Sequence, residues 1–584
     1  MTNIFQRVSL FCSISIHLTY CLQSRAQHIP FAGNRSVTWE ECIDQYRNLD
    51  ENFEDAKLIE CGSTDVGKPL HLFILNRDRI FYPELFDRSK TVILINNGIH
   101  PGEPDGVDAS IIFARELLTD KNLQSLLDSV IFCIVPIYNV DGALNRGKHS
   151  RANQNGPEEY GFRGNARNLD LNRDFIKCDS ENAKSFTALF QKVKPHLFVD
   201  THVSNGADYP YTMTLITTQT DKLGVRLGNF ARQEIEPALF AAMKSVGYEM
   251  CPYVHTMGRT PQSGLLDFLE TPRFASGYAA LFNTIGFITE THMLKPFSAR
   301  VESTYAFLLQ LAKYADEHSD SIVAMKKLAD NDILHQKKLP FNFELDTTTK
   351  STIQFQGYDA KFTASDVGTG NRLTYDHNAP WTKQIPLYRK FQPKMEIEIP
   401  EAYIVPQAWT EVIERLKCND VSMKRLEKDT ILRCGTYYIE EYETENAPYE
   451  GHYLHSEIKV RYFEKEIAFY AGDYFISTNQ TTRRYLCEVL EPQSPDGFFA
   501  WNFFDSILQQ KEWFSDYVFE DIAAELLKTD LELKKEFEKA MMTNPELKEN
   551  HWNQLYWIYK HSPYFEDSMN RYPVVRIDKV KEAK

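Results

Sequence analysis

Apolar positions along this chain follow two different periods. Over residues 37–315, short unbroken apolar runs alternate with longer stretches of helical period. A helix-like opening at 39–49 leads to the apolar run 70–75, then to strand formers at 91–95. A helical stretch at 107–118 separates these from a second buried-type run at 130–138. Strands at 196–202 and 287–290 follow, set among helices at 181–193, 224–246 and 300–315. Strands separated by helices imply an α/β fold, a mainly parallel mixed sheet flanked by helices. In such sheets the loops at the carboxyl ends of the strands carry the chemistry.

Past about residue 319 the period falls to two. Segments 352–355, 395–399 and 458–462 alternate apolar and polar residues with turn residues between them. They predict a β-rich C-terminal domain, largely antiparallel, with one exposed face. Segment 321–335 keeps a helical reading that blurs the boundary, and the charged stretch 521–541 adds terminal helices. A chain of 584 residues exceeds a single core. The expected organisation is therefore a leader at 1–26, a first domain at 37–318 and an accessory domain at 319–584, β-rich and then helical. The leader has a lone basic Arg7 ahead of an apolar stretch, then Gln23-Ser24-Arg25-Ala26. It reads as a secretory signal peptide, which makes the protein secreted or periplasmic. No other stretch is long and apolar enough to span a bilayer. Beyond the leader the cysteines include no C-x-x-C pair, which argues against a cysteine-ligated metal or a disulfide-dense scaffold. Most are expected to be small buried side chains, with an occasional bridge. The net charge of −16 argues against a nucleic-acid-binding surface.

The chain's chemistry gathers around Asn97-Gly98-Ile99-His100-Pro101-Gly102-Glu103, a Gly/Pro-rich loop that leaves one buried strand and enters a helix. Three residues apart in such a turn, an imidazole and a carboxylate can converge on one point, and both are ligand types that a catalytic Zn²⁺ takes. Three later segments fall at or near other strand ends. His202 closes the strand at 196–202, where a third ligand from a different strand would stand. Glu290 ends another strand, where a partly desolvated carboxylate can act as a base on water. Ahead of both, Asn172-Arg173 offers an amide and a planar guanidinium suited to gripping a carboxylate. Singly, each has an ordinary explanation: a hydrogen-bonded core histidine, a surface glutamate, a salt bridge.

Together, His100-x-x-Glu103, Asp170-x-Asn172-Arg173, His202 and Glu290, with Asn139-Val140-Asp141-Gly142, resemble the zinc carboxypeptidase family of the carboxypeptidase A type over residues 37–315. The resemblance implies one Zn²⁺ held by His100, Glu103 and His202, with Glu290 drawing the proton from the metal's water. It also implies Asn172 and Arg173 on the substrate's terminal carboxylate, and Asp170 orienting the first histidine ligand. An arginine near the scissile carbonyl is expected among Arg151, Arg163 and Arg167; Arg163, nine before Asn172, is the choice. Tyr278 is the candidate for a tyrosine that closes over substrate, although another register puts Phe274 there. The implied function is a metallocarboxypeptidase acting on peptide or protein C termini. Alternatives are a hydrolase of peptidoglycan stem peptides or other amides on the same scaffold, or a non-catalytic binding protein that keeps the fold.

Overall fold

The computed structural model describes residues 33–578. The expected signal peptide at 1–26 lies outside them. The first element, α1 (Trp39–Asn52), begins at a capping box in which Thr38 and Glu41 satisfy each other's backbone N–H groups. There follow β1 (Ala56–Ser63), β2 (Pro69–Leu75), β3 (Thr91–Asn96), α2 (Asp105–Thr119), β4 (Val130–Val135) and α3 (Glu181–Val193). The half continues with β5 (Leu197–Ser204), β6 (Met213–Thr217), β7 (Cys251–Pro252), α4 (Ala275–Leu281), β8 (Ile285–His292), α5 (Phe297–Glu317) and α6 (Ser319–His335). The eight strands form one mixed sheet in the order β1-β2-β4-β3-β5-β8-β6-β7. Its centre, β4-β3-β5-β8, is parallel, while β1, β2 and β6 pair antiparallel at the flanks.

Every residue of β3, β4 and β5 is buried, the consequence of helices on both faces. Alternate side chains feed two cores. Ile93 and Ile95 join Phe113 of α2 and Phe307 of α5 on one face; Val92 and Leu94 join Phe190 of α3 and Tyr278 of α4 on the other. The first core also takes in Ile322 and Ala329 of α6, so the packing of this half runs past the expected boundary at 318/319. The second is continuous with Tyr403, Tyr485 and Trp501 from the later part of the chain, so the C-terminal part shares a core with the sheet.

Three strands escaped the apolar pattern, among them the two-residue β7. In β1, Lys57 and Glu60 interrupt the run because this edge strand is half exposed; β6 is only five residues long. The expected helix at 224–246 is present as Val225–Phe230 and Glu236–Ser245, joined without a break by a π-type turn at Ala231–Ile235. Among the described residues all eight cysteines are free, six of them buried.

The later part is rich in long antiparallel strands. A hairpin of β9 (Ser351–Ala364) and β10 (Asn371–Tyr388) is largely exposed. A six-stranded sheet contains β11 (Ala402–Val405), the paired β12 (Thr430–Thr444) and β13 (His455–Phe469), and β14 (Val575–Ile577). Helices at Asp516–Thr529 and Leu531–Thr543 occupy the expected charged stretch. Among the described residues no helix is long and apolar enough to cross a membrane.

Candidate active site

The loop after β3 is fixed from beneath by its own asparagine. Asn97 donates to the Val135 carbonyl and accepts from the Ser110 and Thr201 hydroxyls, tying three elements at one point. A Cβ on Gly106 would lie 2.0 Å from Thr201 Oγ1, so only glycine lets α2 start this close to β5. The loop then delivers His100 and Glu103 over the carboxyl end of the sheet. Parallel pairing of β5 with β8 sets Glu290 directly beside His202.

The structure brings His100, Glu103 and His202 together, with one ligand atom of each within 4.8 Å of the others. Nδ1 of His202 lies 3.0 Å and Nδ1 of His100 3.4 Å from Glu103 carboxylate oxygens. On the far side of each ring, Nε2 meets an aspartate: His100 meets Asp170 at 2.9 Å and His202 meets Asp200 at 3.0 Å. Each aspartate thus fixes its imidazole with Nδ1 facing inward, the arrangement that orients histidine ligands at metal sites. His100 Nδ1 is buried and has no hydrogen-bond partner. Burial opposes the charge of Glu103, but Arg151 and the two imidazoles outweigh it and hold the carboxyl well below its usual range. Burial likewise opposes a charged His202, but Asp200 and Glu103 raise its pKa well above the ordinary value. The same carboxylates that favour a proton here favour a metal cation in its place.

These groups open on a cleft of about 360 Å³. Glu290 is only partly covered, at the cleft floor. Burial, reinforced by Glu103 and Glu270 and opposed by His202, pushes its carboxyl up to about 8. Asn172 lines the cleft and fixes its amide oxygen on the Ala275 N–H at 3.1 Å. Arg173 also lines it, its guanidinium 4.2 Å from the centre of the Phe274 ring. Both Arg151 and Arg163 reach the site. Arg151 donates to Glu103 at 2.7 Å, while Arg163, half exposed, donates to Asp170 at 2.9 Å. Arg167 turns away, to the Asp179 carbonyl.

Tyr278 is corrected by the structure. Its ring is fully buried in α4, packed tilted against Phe175 and edge-on against Phe190 and Phe282, and its hydroxyl bonds Asn419 at 2.7 Å. An all-apolar helix face drives it into the core, away from the cleft. The aromatic rings that do line the cleft are Tyr253, Phe268 and Phe274. Sequence reasoning also missed Asp200 and Glu270. Asp200, two residues before His202 and on the same face of β5, carried the only available signal, its side-chain period.

Residues 43–256 match the family model of zinc carboxypeptidases. Carboxypeptidase 2 of Trichophyton rubrum is 20% identical over 428 residues, covering 70% of this chain and 73% of that protein. The Trichophyton equinum carboxypeptidase 2 has the same identity and coverage. Among solved structures, a metallo-carboxypeptidase from Burkholderia cenocepacia aligns at 16% identity, covering 48% of this chain and 70% of its own, with a TM-score of 0.37. For carboxypeptidase A from Helicoverpa armigera the identity is 13%, the coverage 52% and 82%, and the TM-score 0.38. The matched segment 43–256 is a zinc carboxypeptidase domain and carries His100, Glu103, Asn172, Arg173 and His202, while Glu270 and Glu290 of the same cleft lie beyond it. The relatives and the family that this chain is similar to are carboxypeptidases, which are hydrolases.

Proposed function

We propose that this protein is a zinc-dependent exopeptidase that removes residues from the C termini of peptides or proteins, using one Zn²⁺ per chain. The observation that carries this reading is the convergence of two inward Nδ1 atoms and a carboxylate beside Glu290. The donor set fits the metal. Two imidazoles and one carboxylate at this spacing close around an ion that takes ligands at about 2.0–2.2 Å, and the orphaned Nδ1 of His100 gains the partner it lacks. Bound by His100, Glu103 and His202, Zn²⁺ polarises a carbonyl oxygen and makes water acidic enough to lose a proton near neutral pH.

This chain's own groups do the rest. Asp170 and Asp200 hold the Nε2 protons and so keep each Nδ1 lone pair directed inward. Glu290, beside His202 at the cleft, takes the proton from the attacking water and passes it to the departing amine. We assign Arg163 to the developing oxyanion, because its guanidinium, held by Asp170, stays half exposed at the cleft, whereas Arg151 is largely buried against Glu103. Asn172 and Arg173 bind the terminal carboxylate, which makes the enzyme cut one residue at a time from that end. The aromatic walls receive the terminal side chain. Export rests on the signal-like character of residues 1–26.

The test is mass spectrometry of a defined peptide mixture incubated with the zinc-loaded protein. The expected result is stepwise loss of single C-terminal residues, lost with Glu290→Gln by a factor of roughly 10²–10⁴. Internal cleavage, or no cleavage of any linear peptide by the zinc-loaded protein, overturns the reading.

A further inference from the structure

The carboxylate-binding arginine is contacted from the far end of the chain. The connection between β12 and β13 ends in a tight turn in which Tyr449 and His452 exchange backbone hydrogen bonds of 2.7 and 3.0 Å. Glu450 and Gly451 form its tip, both with left-handed backbone, at φ 51 and 85. Three side chains of this turn reach the loop that carries the cleft's polar groups. Glu450 Oε2 accepts from the Asp170 N–H at 2.7 Å, and His452 Nε2 meets Asp179 at 2.8 Å. Between them, the Tyr449 hydroxyl accepts from Arg173 Nε at 3.0 Å. Behind Tyr449, the Arg273 guanidinium lies over its ring and that of Trp501 and is anchored on Asp496 at 2.6 Å.

We propose that Tyr449 is a positioning residue for Arg173, so that the C-terminal part of the chain sets the geometry of the terminal-carboxylate site; this rests on the exopeptidase reading above. A guanidinium can offer a carboxylate more than one edge for a bidentate pair. Tyr449 occupies Nε, and the Asn172 carbonyl takes one proton of Nη1 at 2.8 Å. The edge formed by Nη1 and Nη2 is left for the ligand, while Phe274 packs against one face of the guanidinium plane. Tyr449 therefore selects the presented edge without touching the reacting atoms.

The test compares the zinc-loaded wild type with Tyr449→Phe, which keeps the ring and removes only the hydroxyl. Two readouts are needed: kcat and KM on an N-acyl dipeptide with a free C terminus, and inhibition by an N-acyl amino acid as carboxylate and as carboxamide. We expect KM and the carboxylate's inhibition constant to rise roughly tenfold. The carboxamide constant, kcat and the thermal midpoint should change by less than about twofold or 2 °C. Unchanged KM, or carboxylate and carboxamide weakened equally, overturns the proposal and leaves Tyr449 a packing residue. A wild type that releases no C-terminal residue and does not prefer carboxylate over carboxamide instead overturns the exopeptidase reading on which it rests.

Discussion

Each half of the molecule buries a cluster of charge, and the two clusters are finished differently. In the β-rich half, Arg576 of β14 sits on Glu491 at 2.8 Å, on the Tyr437 hydroxyl at 2.9 Å and on Asp578 at 3.1 Å, with its last donor on the Glu398 carbonyl. Tyr403 gives Glu491 a second donor at 2.6 Å. Every guanidinium nitrogen there is engaged. In the α/β half, Asp170, His100, Glu103, His202 and Asp200 form an equally buried chain, yet His100 Nδ1 is left without a partner and Glu290 faces the cleft. Burying an ion costs several kcal/mol unless partners and hydrogen bonds compensate it. A cluster compensated internally is architecture; one with negative charge and a lone pair left over is built to receive a cation.

The largest effect that follows is on stability. Arg576→Met leaves Glu491 buried and unpaired, and should lower the unfolding free energy by about 3–5 kcal/mol. Zinc affinity should hold, because nothing in that cluster touches the cleft. Denaturant unfolding of the full chain measures the first and competition with a chelator the second. Replacing Glu491 by Leu in the same variant should restore part of the loss, since it removes the stranded charge. A loss below about 1 kcal/mol would mean that the cluster is not the closed unit described.

The open cluster should respond the other way round. Asp200→Asn keeps the shape of the side chain but no longer draws the His202 Nε2 proton with a full charge, so zinc affinity should fall roughly 10–100-fold. The unfolding midpoint of the metal-free protein should barely move, since the substitution also removes part of an uncompensated negative charge. Intact zinc affinity combined with a stability loss matching that of Arg576→Met would abolish the distinction between the halves.

The same contrast explains what could be read without coordinates. His100, Glu103, His202 and Glu290 are each reached from a buried apolar run, and such a run announces both the strand and the place where it ends. Asp200 lies within one of those runs, where it reads as an interruption of the strand. Its partnership with His202 appears only when both are put on one face. Tyr278 was misplaced because the register of the family resemblance slides around α4, whereas its place on an apolar helix face sends its ring to the core with Phe190 and Phe282. The edge strand β1 was missed because half exposure mixes its pattern. No local pattern could connect Tyr449 to Arg173, which are 276 residues apart and joined only by the packing of the two halves.

The smallest effect separates two histidines of the same segment. His196 stands just before β5 and His202 near its carboxyl end, and their surroundings are opposite. His202 lies among carboxylates, whereas His196 accepts the Val92 N–H on Nδ1 at 2.9 Å and has cationic Lys326 and Arg88 nearby. Burial first, then those two charges, pushes its pKa from 6.5 down to about 3. The folded protein therefore keeps His196 neutral where the unfolded chain takes up a proton. Stability from this group is fully present above pH 6.5 and is lost progressively as the pH falls toward 3. Between pH 7 and 5.5 the loss should be about 1 kcal/mol. His196→Asn keeps an acceptor for the Val92 N–H but cannot titrate, so its stability curve should lie flatter than the wild type's over that interval. Parallel curves would mean that His196 is protonated in the folded state, which would require the Val92 bond to break.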